Sequence, residues 1–184
     1  LYQYLEILNA AEDKSKLYSY YDRAKLFYEF LAGRTHGSTT ARFQSGLTTT
    51  FDYFYNCAGM DDLPPQKEMY RRGLQLNAAP AISTSQVIRT AKLLRIVALQ
   101  MGRTEDAAVY EQDVQRLTEA LQTYSWDEEI GYFSYVLHDE AGKPVGQLRT
   151  EDGENLNKTL DGVYPLLAGA VTEKQKERLL AHLK

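Results

Sequence analysis

An all-α fold of helical hairpins in series, with one small β-hairpin excursion near 132–149, is what this sequence predicts. Three observations carry it. Apolar residues recur at spacings of three and four through most of the chain, and the links between helices are alternately very short and very long. Strand-type residues and turn signals cluster in one place only, around Tyr132-Phe133-Ser134-Tyr135-Val136-Leu137. With 184 residues the chain can bury one core, and 1–184 reads as part of a single domain. Leu1-Tyr2-Gln3-Tyr4-Leu5 starts inside an amphipathic pattern and the last helix runs to Lys184, so the chain reads as a piece of a longer protein.

Residues 1–10 read as the end of a helix. Asp13-Lys14-Ser15 offers a cap, and Leu17, Tyr21, Ala24, Tyr28 and Leu31 mark one face of the next helix, which Gly33 closes. The stretch 34–44 is polar and rich in small residues, hence a loop. After the aromatic stretch 48–66, a short helix is expected over 66–74 with Pro65 in its first turn, broken by Asn77-Ala78-Ala79-Pro80. The spacing of Val87, Ala91, Leu94, Ala98 and Met101 predicts a long helix over 82–102. Gly102 stops it, and Thr104 is placed to cap the next helix, with Glu105 and Asp106 favoured in its first turn by the macrodipole. That helix carries Ala107, Tyr110, Val114, Leu117 and Leu121 to about Tyr124, making an αα-hairpin. Trp126 to Gly131 is expected as a turn and His138 to Lys143 as the hairpin loop. A further helix is expected over 156–170, and Thr172-Glu173-Lys174-Gln175 is a capping box for a last helix striped by Leu179, Leu180 and Leu183.

The net charge of −4 and a pI near 5.5 argue against a nucleic-acid partner, which needs clustered Lys and Arg. No apolar run approaches the length of a membrane helix. A single cysteine, Cys57, leaves no internal disulfide and the compartment undecided. His36, His138 and His182 are scattered without metal-ligand spacing, and neither metal nor cofactor is expected. The 14 tyrosines suit either helix packing or a sugar-binding cleft, since each ring offers an apolar face and a hydroxyl.

The stretch from Thr48 to Gln66 carries the chemistry. It has no helical stripe, packs aromatics at Phe51, Tyr53, Phe54 and Tyr55, turns at Gly59, and sets Asp61 and Asp62 just before Leu63-Pro64-Pro65. The double proline stiffens the backbone behind the acids. Two adjacent carboxylates against aromatic rings suit a general acid, because burial and like charge raise one pKa. They suit equally the capping of the helix that follows. Extended alternation would send Tyr53 and Tyr55 to one side and Phe54 to the other.

Tyr53-Phe54-Tyr55-Asn56-Cys57-Ala58-Gly59-Met60-Asp61-Asp62-Leu63-Pro64-Pro65 resembles the general-acid loop of glycoside hydrolase family 63 and its relatives, including the trehalase and mannosylglycerate hydrolase groups. The segments Trp126 to Phe133 and Gly162 to Gly169 are similar to later barrel turns of that group. The resemblance implies a partial (α/α)6 toroid and an inverting, exo-acting glycosidase, α-glucosidase-like on oligosaccharides, with Asp61 as proton donor. It implies a general base beyond this chain, so Glu151, Asp152 and Glu154 are left as acids of a solvated loop. The family places an acid four positions before its proton donor, where this chain has Cys57. Tyr53, Tyr55, Asn56 and Asp62 are the candidate substrate contacts, and Arg42 is a further residue within reach of a sugar hydroxyl or a loop acid. The partners implied are a carbohydrate and, against exposed apolar helix faces, the rest of the barrel or a second copy. The alternative is a non-catalytic helical-hairpin module that binds a protein or carbohydrate.

Overall fold

A computed structural model describes residue 10 and residues 14–49 and 63–183. The expected helix end at 1–10 lies almost wholly outside them. Helix α1 (Ser15–Leu31) has Lys14 at its cap position, without a side-chain capping bond, and Asp13 of the expected cap lies outside the described residues. The helix is closed by Gly33 at φ 76°, where a Cβ would also stand 2.2 Å from that of Ala41. Conformation and packing both demand glycine there. The 34–44 loop is irregular as expected, tied back by Thr40 Oγ1 to the Leu31 carbonyl at 2.8 Å.

Helix α2 (Pro64–Arg71) begins two residues earlier than expected, with Leu63 extended at its cap and both prolines in its first turn. Helices α3 (Ala81–Gln100) and α4 (Thr104–Ala120) form the predicted αα-hairpin about Gly102 at φ 73°. Arg103, not Thr104, takes the cap position of α4, and Thr104 is its first helical residue. The expected stripes are core: Val87, Ala91, Leu94, Ala98, Ala107, Tyr110, Leu117 and Leu121 are buried. Each large apolar side chain among them contributes about 1.5–3 kcal/mol on burial. Helix α1 lies on α3 and reaches α4 through tyrosines. Tyr21 Oη donates to Asp106 at 2.8 Å, Tyr28 Oη donates to Asp113, and Tyr28 meets Tyr110 edge-on at 5.0 Å. Arg34 completes the junction at 2.8 Å from Asp113, so this buried carboxylate is matched by a cation.

Past α4 the helix widens into one π-turn, Leu121–Ser125, before leading into strand β2 (Trp126–Asp127). The segment 126–131 is thus more than a turn, since β2 pairs antiparallel with β3 (Tyr132–Phe133). Strand β4 (Val136–His138) pairs with β5 (Pro144–Gln147), giving the expected hairpin over 136–147. It also pairs with β1 (Ala78–Ala79), where the sequence predicts only a helix break. His138 is therefore a buried strand residue rather than a loop residue. Its Nε2 meets Ser45 Oγ at 2.8 Å and its ring stacks on Phe43 at 3.7 Å.

The helix expected over 156–170 is largely absent. A 3₁₀ turn at Leu160–Val163 runs into the one-turn α5 (Tyr164–Leu167). Asn155 and Asn157 capture backbone groups before it, with Asn155 Oδ1 accepting from the Asn157 N–H at 2.8 Å. Asn157 Oδ1 accepts from Tyr135 N–H at 3.0 Å, while Asn157 Nδ2 donates to the Leu148 carbonyl at 2.8 Å. These bonds fix the segment before the turn to the backbone of Tyr135 and Leu148. The last helix, α6 (Glu173–His182), has the predicted capping box between Thr172 and Gln175. Of its stripe only Leu179 is buried; Leu180 and Leu183 are exposed, as are Leu26 and Phe27 on α1 and Ile96 and Leu99 on α3. The molecule is mostly helical with small sheets. No described helix is long and apolar enough to cross a membrane.

Candidate functional site

Asp61 and Asp62, with Tyr53, Tyr55, Asn56 and Cys57, lie outside the described residues. What is described is the ground on either side of them. Before the stretch, the Thr48 N–H donates to Thr84 Oγ1 at 3.0 Å and Thr49 Oγ1 donates to the Ala78 carbonyl at 3.1 Å. The Thr49 N–H donates to the Thr40 carbonyl at 2.8 Å. Thr48, Thr49, Thr84 and Ser85 are all buried, an unusual run of hydroxyls between β1 and the start of α3. Each hydroxyl there has a partner, because a buried one without would cost about 1–3 kcal/mol.

After the stretch, the Leu63 N–H donates to Gln66 Oε1 at 3.1 Å. Further along, Tyr135 Oη donates to Asp161 Oδ2. That bond fastens the 160–163 turn, which also packs against α3. Tyr135 and Asp161 are almost wholly buried. Burial, and then the neighbouring Asp161, pushes the Tyr135 phenol up, so it stays protonated. Burial likewise pushes the Asp161 carboxyl above its usual range, opposed by the bond from Tyr135. Among the described residues, Asp161 Oδ1 has no partner, nor has the Thr159 hydroxyl two residues before it.

Gly162 explains why Asp161 stands where it does. A Cβ at position 162 would lie 2.4 Å from Tyr132 Cε1 and 2.5 Å from the Phe133 carbonyl oxygen. The turn therefore packs flush against β3, and the Tyr132 hydroxyl fastens it by donating to the Thr159 carbonyl at 2.8 Å. Asp161 was not singled out by the sequence reading. An acid beside glycine, in front of the apolar run Val163-Tyr164-Pro165-Leu166-Leu167, was the available signal.

The remaining candidates sit apart from these bonds. Arg42 and His36 are exposed, and so are Glu151, Asp152 and Glu154, with Glu151 within 3.4 Å of Arg71. His182 is exposed, its Nε2 3.0 Å from the Ile130 carbonyl. Burial pushes the His138 imidazole down, keeping it neutral inside the sheet. Among the described residues, no three His, Cys, Asp or Glu side chains come together as a metal site.

A family model for the mannosylglycerate hydrolase MGH1-like glycoside hydrolase domain matches residues 7–184. No curated protein matches the chain.

Proposed function

Since the chain belongs to the MGH1-like glycoside hydrolase family and is a glycosidase domain, we propose that it works by inversion with Asp61 as general acid. Asp61 protonates the glycosidic oxygen as the bond from the anomeric carbon breaks. A second carboxylate, about 6.5–9.5 Å away across the sugar, takes a proton from the water that attacks the opposite face. That base is contributed from outside residues 1–184, in an (α/α)6 toroid of which this chain supplies helical hairpins. Tyr53, Tyr55, Asn56 and Asp62 contact the sugar, and the substrate is an α-linked oligosaccharide cut from its end, as by an α-glucosidase. The exposed apolar faces of α1, α3 and α6 are where the rest of that toroid packs.

The observation that supports this reading is the match over 7–184 taken with the segment Gly59-Met60-Asp61-Asp62-Leu63-Pro64. Its test is hydrolysis of α-glucosides, α-mannosides and trehalose by the full-length enzyme beside Asp61→Asn. The variant is expected to lose roughly 10²–10⁴ in kcat while still binding sugar, and NMR of the first-formed product should show the β-anomer from an α-linkage. An unimpaired Asp61→Asn rejects Asp61 as the acid, and a first-formed α-anomer rejects inversion.

A further inference from the structure

Of the three histidines only His138 is buried, and it ties together stretches far apart in sequence. These are β4, which bears it, Asn77 beside β1, and the segment 43–47, which leads through Thr48 and Thr49 to the acidic stretch. Nδ1 lies 3.3 Å from the Asn77 carbonyl, which can only accept, so Nδ1 carries the proton. Nε2 is then an acceptor. Ser45 Oγ donates to it at 2.8 Å while accepting from the Leu47 N–H at 3.2 Å. Phe43 lies flat on the ring, with centroids 3.7 Å apart and planes 3° from parallel. The same segment is held again at the hairpin tip. There the Gln44 N–H donates to the Gly142 carbonyl at 2.8 Å, and its side chain to that of Ala141 at 3.0 Å. The His138–Ser45 pair is fully matched as long as the ring is neutral.

We propose that His138 is an acid-released clasp: the neutral ring holds the 43–47 segment against the hairpin, and the protonated ring lets it go. A second proton gives Nε2 an N–H where it had a lone pair. Ser45 must then accept from both His138 and Leu47, and its own proton loses its acceptor. A positive charge is also left inside the fold. Residues 77–80, and Pro144 opposite His138 in the sheet, carry no charge to meet it. Arg42, Glu140 and Lys143 are exposed. Asp139, exposed too, favours the cation through space, but its Oδ1 is occupied by the Lys143 N–H at 2.8 Å. The Phe43 face also attracts a cation. Burial acts against both and prevails, pushing the imidazole down. Lifting the segment away returns the ring to water, where it takes a proton more readily. Docking is therefore at full strength above the ordinary imidazole pKa of 6.5 and weakens as pH falls below it.

The test is amide hydrogen exchange in the full-length protein from about pH 7.5 down to about pH 4.5, beside His138→Gln. That variant keeps an acceptor for Ser45 and removes the titration. The His138 pKa is read by NMR from its ring protons. Protection of the Gln44 amide, corrected for intrinsic exchange, is expected to fall in the wild type as pH drops. The fall should be about tenfold for each unit by which the measured pKa lies below its ordinary value. In His138→Gln it should be flat, and amides of the 81–120 hairpin should show no step in either protein. Protection independent of pH, or a His138 pKa at or above the ordinary value, overturns the proposal. So does an equal fall across the 81–120 hairpin, because His138 would then report only unfolding of the whole. A fall that persists in His138→Gln overturns it too and assigns the titration elsewhere, His36 being the other imidazole on this side of the acidic stretch. Should His138→Gln fail to fold, the NMR pKa and the wild-type profile decide the matter, since the two must agree in size.

Discussion

Asp127 and Asp161 are both buried, the first paired across β2 with Tyr132 and the second bonded by Tyr135, yet their surroundings are opposite. Asp127 sits 2.8 Å from Arg149 and 2.9 Å from the Asn155 amide, and its other oxygen takes the N–H groups of the turn it starts. Asp161 has one bond, from a tyrosine, and no cation. The first carboxylate gives four neighbouring donors their acceptor. Burial pushes the second above the usual carboxylate range, opposed by the bond from Tyr135.

The sharpest way to break the comparison is Asp127→Ala. Four donors lose their acceptor and Arg149 loses its buried partner, so the expected cost is about 3 kcal/mol or more, read by urea denaturation. A loss below about 1 kcal/mol would remove the contrast. Gly162→Ala comes next. Its methyl must displace Tyr132 or the Phe133 carbonyl, at an expected cost of about 1–3 kcal/mol, read by the same denaturation. The smallest effect sharpens the comparison most. The Asp161 carboxyl has a raised folded-state pKa, so its protonation favours the native state below the ordinary carboxylate range. That contribution is lost as pH rises through the raised value. Thermal melts should therefore show wild type losing stability relative to Asp161→Asn from about pH 4 upward, with no further change once Asp161 is ionised. A constant difference across pH would mean that Asp161 titrates normally.

Long-period information survived well in the sequence. The 81–120 hairpin was legible because its apolar stripes run for several turns and Gly102 marks the reversal, and the Thr172–Gln175 box is a local code with one meaning. The 156–170 segment was misread for a physical reason. Its apolar residues keep helical spacing, but the Asn157 amide ties the start of the segment to the Tyr135 and Leu148 backbone, and the packing of Gly162 on β3 rewards a tight turn. Strand β1 is two alanines, too short to leave a period, and exists because β4 offers it an edge. As for the site, the acidic stretch was legible as a motif. The bond between Tyr135 and Asp161 was not, since the two meet only in the fold.

The tip of the hairpin has a consequence for how the protein is made. Gln44 donates its backbone N–H to Gly142 and its side chain to Ala141, 97 positions further along, and Gly142 sits so close that a Cβ there would be 2.7 Å from the Arg42 carbonyl oxygen. During ribosomal synthesis at roughly 5–20 residues per second, the segment around Gln44 emerges on the order of 5–20 s before its dock exists. Its neighbours Thr48 and Thr49 bond Thr84, Ala78 and Thr40, all made far earlier, so the two ends of this segment are set at different times.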